Sequence, residues 1–164
     1  LKRELSRKLE PRTSVPQKRL ETIEKLAKAG IPVGVNVAPI IPGLTDEEIP
    51  AILEAAASHG AKFSGRTIIR LPYSVKDLFL EWLERNYPEK ASKILNRIRD
   101  VRGGELSSAE FGKRMRGEGK YAEHIHQLFK ACCKKFGLNK EKIEIRTDLY
   151  RVPPLDQSQG ELFG

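Results

Sequence analysis

Residues 31–46 read Ile-Pro-Val-Gly-Val-Asn-Val-Ala-Pro-Ile-Ile-Pro-Gly-Leu-Thr-Asp, and the fold turns on how that stretch is read. Val33, Val35 and Val37 form a short apolar run with small residues between them. A run of this kind, bounded by turn formers, suits a strand covered on both faces. Pro39, Pro42 and Gly43 then break it, and Thr45-Asp46-Glu47-Glu48 carries a helix-start signal. The order is strand, constrained loop, helix. Ligands of α/β folds bind at the carboxyl ends of parallel strands, so this loop lies where chemistry is usually done.

Working outward, Leu20, Ile23, Leu26 and Ala27 mark the buried stripe of a helix over residues 15–29, with Ser14 and Gln17 placed as a capping box. Gly30 is its left-handed stop. Beyond the loop a helix runs to about Ser58, with Pro50 tolerable only near its first turn, and Gly60 stops it. Residues 61–71 give a second strand. Residues 15–72 thus read α-β-α-β, with connections that suit adjacent parallel strands and right-handed crossovers. Two strands are too few for a stable parallel sheet, which points to further strands upstream. So does the first residue, Leu1, which opens the chain without Met inside a helical pattern and predicts a piece of a longer protein.

The remainder reads as mainly helical. One helix buries Leu78, Phe79, Trp82 and Leu83; another starts at Pro88; a short one covers residues 107–113; a long one, 121–136, ends at Gly137. Residues 142–147 alternate like an edge strand, and the Pro-, Gln-, Ser- and Gly-rich end reads as a disordered tail. The expected division is 1–73, 74–150 and a tail, 151–164.

With 164 residues, 39% hydrophobic and 32% charged, the chain can build one real core. No apolar run approaches the roughly 20 residues of a membrane span. A formal charge of +8 favours an anionic partner such as nucleic acid. The polar start does not resemble a secretory leader, and two adjacent cysteines, Cys132 and Cys133, exclude a disulfide framework. Both features fit a reducing, cytoplasmic location.

Three stretches in order, Glu-Pro-Arg-Thr-Ser-Val-Pro-Gln-Lys-Arg-Leu (10–20), the run 30–46, and Ile-Ile-Arg-Leu-Pro (68–72), resemble radical SAM proteins related to spore photoproduct lyase, the "DNA repair photolyase"-like group. Residues 76–83, 95–99 and 111–122 are similar to a C-terminal extension of one bacterial subgroup. The resemblance implies the C-terminal part of a partial (βα)6 barrel of parallel strands, followed by a helical extension. It implies S-adenosylmethionine and a 4Fe–4S cluster as cofactors. The family's Cys-x-x-x-Cys-x-x-Cys motif, whose three thiolates hold the cluster, is absent. Neither cofactor is therefore expected to bind this chain stably, and any lyase- or transferase-like activity belongs to an intact parent. That parent is expected to cleave S-adenosylmethionine reductively and to start radical chemistry on an unidentified substrate, with nucleic acid a candidate.

The resemblance also places residues. Ala38, Pro39, Ile40 and Ile41 fall where an apolar wall meets the adenine; the bland reading is a strand end turned for geometry. Arg70, at the end of the next strand, is placed to meet the cofactor or an anionic substrate, or else to make a surface ion pair. Arg12 and Ser14 lie near the expected ribose or methionine part, with loop capping as the alternative. From the residues alone, Arg97, Arg99, Arg102, Lys113, Arg114 and Arg116 form a basic group around two glycine turns, a candidate nucleic-acid contact, though interspersed carboxylates suit an ion-paired surface equally. Gln159, Leu162 and Phe163 resemble the short peptide that binds the bacterial sliding clamp. The alternative to an enzyme is thus a non-catalytic basic module that binds DNA or the clamp. His59, His124 and His126 lack metal-ligand spacing, and no metal site is expected among these residues.

Overall fold

The computed structural model describes residues 2–108, 110–141 and 147–151. Helix α1 (Arg3–Leu9) and helix α2 (Pro16–Lys28) precede strand β1 (Gly34–Ile40). A 3-10 turn (Asp46–Glu48) leads into α3 (Ile49–Ser58), then β2 (Phe63–Ile68). Helices α4 (Val75–Asn86), α5 (Pro88–Asp100), α6 (Lys113–Arg116) and α7 (Gly119–Phe136) follow. No helix among the described residues is long and apolar enough to cross a membrane.

Strands β1 and β2 pair in parallel, from Gly34 opposite Phe63 to Ile40 opposite Ile68. The α-β-α-β order and the adjacency of the two strands match the local signals. The barrel does not. The described residues form a mostly helical α/β structure with a two-stranded sheet, and no further strand begins to close a cylinder. The expectation of β1 covered on both faces is corrected too. Gly34, Asn36 and Ala38 are exposed, as is Gly65 opposite Asn36, whereas Val37 and Ile40 are buried. Period-2 alternation of valines with Gly, Asn and Ala is the pattern of a strand with one covered face.

The covered face carries the core. Ile40, Ile41, Ile49, Leu53, Ile68, Ile94 and Ile98 are fully buried between the sheet and helices α3, α5 and α7. Each such side chain contributes about 1.5–3 kcal/mol by leaving water. Pro39 sits inside β1, in the register irregularity between Val37 and Ile40, where no ladder hydrogen bond is asked of its nitrogen. The ladder resumes beyond it, as Ile69 N donates to Ile40 O at 2.9 Å.

Several ends differ in detail. Helix α2 starts at Pro16 with Val15 as its cap residue, and Ser14 makes no cap bond; proline's fixed φ and missing N–H suit that first position. Leu78 is 64% exposed on α4, while Phe79 and Leu83 turn inward. The short helix lies at 113–116 rather than 107–113. Gly137 ends α7 in the left-handed conformation. The edge-strand and tail expectations fall on residues outside the described ones.

Candidate functional site

The loop after β1 is closed by its own polar groups. Ile41 N donates to Thr45 Oγ1 at 2.7 Å, and Gly43 N donates to Asp46 Oδ1 at 2.8 Å. Its glycine is required: φ is +81°, and a Cβ there would lie 2.9 Å from Arg97 Cδ. The other oxygen of Asp46 accepts from the Tyr121 hydroxyl, which in turn accepts from Arg97 Nη1. The Arg97 guanidinium also lies over the Tyr121 ring, 4.6 Å from its centroid, and 3.9 Å from the Asp46 carboxylate. Burial and the bond to Asp46 push the Tyr121 hydroxyl up to about pKa 12. An Asp–Tyr–Arg chain from α7 and α5 therefore holds the loop at the carboxyl end of β1.

Beside that loop lies a cavity of about 190 Å³ between α1, α2, β1 and α3. Leu5, Leu20, Ile23 and Val37 make its wall apolar, and Ala38 and Pro39 line it at the strand end. Its polar groups include Ser6, Glu10, Asn36 and Arg19. Arg19 is already engaged, donating to Glu10 Oε2 at 2.7 Å, Thr13 Oγ1 at 2.8 Å and Ser14 O at 2.9 Å. That guanidinium clips the 10–14 turn to α2. Asn36 is exposed, and its amide offers both a donor and an acceptor.

The residues expected to meet the cofactor do not form one surface. Ala38 and Pro39 line the cavity. Ile40 and Ile41 are fully buried, because the core claims their side chains; only their backbone is left for a ligand. Arg12 and Ser14 lie exposed on the outer turn, away from the cavity wall. Arg70 belongs to the other side, with Nη1 4.0 Å from Met115 Sδ of α6.

The basic group divides likewise. Arg102 is only 3% exposed and donates to Ile68 O and Lys113 O at 3.1 and 3.2 Å, and to Ile69 O, tying the end of α5 to the end of β2. Arg97 is held in the loop-closing chain. Arg99 donates to Asn96 Oδ1 at 3.1 Å. Lys113 pairs with Glu110 and Glu118 at 3.1 and 3.3 Å. Arg114 lies over the exposed Phe111 ring, and Arg116 is exposed. One continuous basic surface through all six is therefore ruled out by the burial of Arg102 and the internal bonds of Arg97.

Sequence reading missed Asp46, Tyr121 and Asn36. For Asp46 a local signal existed, an Asp three residues after Gly43 in a turn. Asn36 shares its face with Ala38 by strand parity. Nothing local announces Tyr121, which is 75 residues from its partner. The thiols of Cys132 and Cys133 are free and buried on α7, and burial raises the pKa of Cys132. Cys133 Sγ lies 3.1 Å from Ser64 Oγ. Among the described residues no group of three or more His, Cys, Asp or Glu side chains is placed to hold a metal ion. Gln159, Leu162 and Phe163 lie outside the described residues.

No protein-family model matches the chain, and no solved structure matches it. Uncharacterized proteins of Mycobacterium tuberculosis and Mycobacterium bovis are 38% identical to it over 94 residues. That stretch is 55% of this chain and 27% of each relative, so the chain spans about a quarter of the length of the curated relatives it matches.

Proposed function

We propose that this chain is part of a radical SAM enzyme and supplies the adenine side of its S-adenosylmethionine pocket. In this reading the intact protein cleaves that cofactor reductively and starts radical chemistry on a substrate still to be identified, nucleic acid being a candidate. The observation that carries the reading is the cavity beside Ala38 and Pro39. Its volume, about 190 Å³, falls below the roughly 300–1,000 Å³ of pockets that enclose whole drug-sized ligands. It suits one ring system of a cofactor rather than all of it. An apolar wall fits a purine, whose flat faces are apolar.

The 4Fe–4S cluster fits no set of residues described here. Cys132 and Cys133 are adjacent, buried and too few. The cluster and the electron it delivers belong, in this proposal, to other residues of the intact protein. What this chain contributes is the purine wall and the loop that fixes it, with Tyr121 and Arg97 holding Asp46 from behind.

The test is the full reading frame, purified without oxygen. The expected result is a protein with iron and sulfide in equal amounts that forms 5′-deoxyadenosine when reduced in the presence of S-adenosylmethionine. An intact protein that binds no cluster, or that forms no 5′-deoxyadenosine with its cluster reduced, overturns the proposal.

A further inference from the structure

Helix α1 forms one side of the cavity beside Ala38, through Leu5, Ser6 and Leu9, and its two ends are held differently. At the carboxyl end Trp82 Nε1 donates to Lys8 O at 2.9 Å, and the Lys8 ammonium stands 5.3 Å from the Tyr87 ring centroid. Trp82 itself belongs to an aromatic cluster, with ring centroids 5.9 Å from Phe79 and 5.7 Å from Tyr87. The chain then enters the 10–14 turn, which Arg19 clips to α2. At the amino end the ties run to two carboxylates. Lys2 N donates to Glu48 Oε1 at 2.8 Å, and the Lys2 ammonium pairs with Glu47.

The amino end is the weaker one. The Lys2 and Glu47 side chains are 57% and 67% exposed, so water and salt screen their attraction. Leu5 is the one buried residue of α1. At seven residues, α1 is also well short of the roughly 12–15 at which an isolated helix is even marginal. Local opening is cheapest where buried apolar contacts are few and polar ties are exposed. An anchored end and an end tied only by exposed charges make a hinge and a latch.

We propose that α1 is a lid over this cavity, hinged at the turn after Leu9 and latched by Lys2 on Glu47 and Glu48. Lifting it admits a ligand, and closing it brings Leu5 and Leu9 down over that ligand and shuts out water. The lid belongs to the cavity whatever fills it, so it stands or falls independently of the cofactor reading.

Thiol labelling of the full 164-residue chain tests it. Ala56 lines the cavity from α3 with no exposed surface, so Ala56→Cys puts there a thiol that reacts only when the cavity opens. The buried Cys132 and Cys133 of α7 time the unfolding of the rest. The probe is N-ethylmaleimide, each thiol is followed by mass spectrometry, and each rate is taken relative to the same thiol in urea. The Ala56→Cys thiol should react roughly tenfold or more faster than either thiol of α7. Lys2→Glu sets a like charge against Glu47 and Glu48 and should speed that thiol alone by about fivefold or more; adding Glu47→Lys should reverse the gain. Salt should act with opposite signs, speeding the reaction where the latch is intact and slowing it in Lys2→Glu, where it screens repulsion. Circular dichroism checks folding; if Ala56→Cys unfolds, Val37→Cys on the same wall is read in its place. A cavity thiol no faster than Cys132 and Cys133, or a rate unmoved by Lys2→Glu, overturns the proposal.

Discussion

The Tyr121 hydroxyl donates a hydrogen bond to Asp46 Oδ2 across 75 residues of sequence, joining the last long helix to the loop after the first strand. The same phenol accepts from Arg97, so one oxygen links a carboxylate and a guanidinium. Replacing it exposes what it does. Tyr121→Phe removes a half-buried bond to a charged acceptor and is expected to cost about 1.5–3 kcal/mol. Urea unfolding measures the loss. A change below about 0.5 kcal/mol would mean that Arg97 and Asp46, already 3.9 Å apart, close up and replace the phenol completely.

The same bond predicts a pH dependence. The folded pKa of Tyr121 is raised from 10.0 to about 12, by burial first and by Asp46 second. The folded state thus holds the proton more tightly than the unfolded chain does. Its contribution to stability is complete below pH 10 and is lost as pH rises from about 10 through 12. Absorbance of phenolate near 295 nm should show one of the four tyrosines titrating late, and Tyr121→Phe should remove that late step.

Gly43 tests the loop from the other side. At φ +81°, any side chain adds about 1–2 kcal/mol of backbone strain. A Cβ there also meets Arg97 Cδ at 2.9 Å, so the guanidinium must move off the Tyr121 ring. Gly43→Ala should therefore destabilise the chain and push the phenol titration later still, because Arg97 holds the Tyr121 pKa down. Destabilisation with that titration unchanged would separate the strain from the Arg97 contact.

These relationships mark the boundary of what the sequence discloses. The α-β-α-β order is local information: Gly30 and Gly60 stop helices, and β-branched runs follow each of them. The loop after β1 was legible for the same reason. The Tyr121–Asp46 bond is not, since no periodicity links residues so far apart. Arg102 misleads more directly, because composition places arginine at the surface, while three carbonyls draw this one inside. The barrel came from resemblance to a family, not from residues that could close one. Leu78, apolar at helical spacing yet exposed, shows that periodicity gives a face without saying what covers it.

Arg102 yields a further test. Arg102→Met keeps much of the volume but strips three carbonyls of their donors, at an expected cost of about 3–5 kcal/mol. Arg102→Lys should recover little, because an ammonium on a flexible stem does not reproduce a planar fork that reaches two strand-end carbonyls and α6. Chemical denaturation of both variants checks this. Full recovery by lysine would show that charge, not shape, holds the end of β2.

The cavity carries the last prediction. Ala38 is exposed and lines it, so Ala38→Phe should fill the space without displacing core side chains. Its stability cost is expected to stay within about 0.5 kcal/mol, as for surface changes generally. On the proposed cofactor reading, the same change in the full reading frame should weaken S-adenosylmethionine binding at least tenfold while leaving iron content unchanged. Equilibrium dialysis with radiolabelled S-adenosylmethionine reads the variant. If Ala38→Phe binds as the parent does, the purine lies elsewhere, and the cavity is then a packing gap beside the open edge of β1.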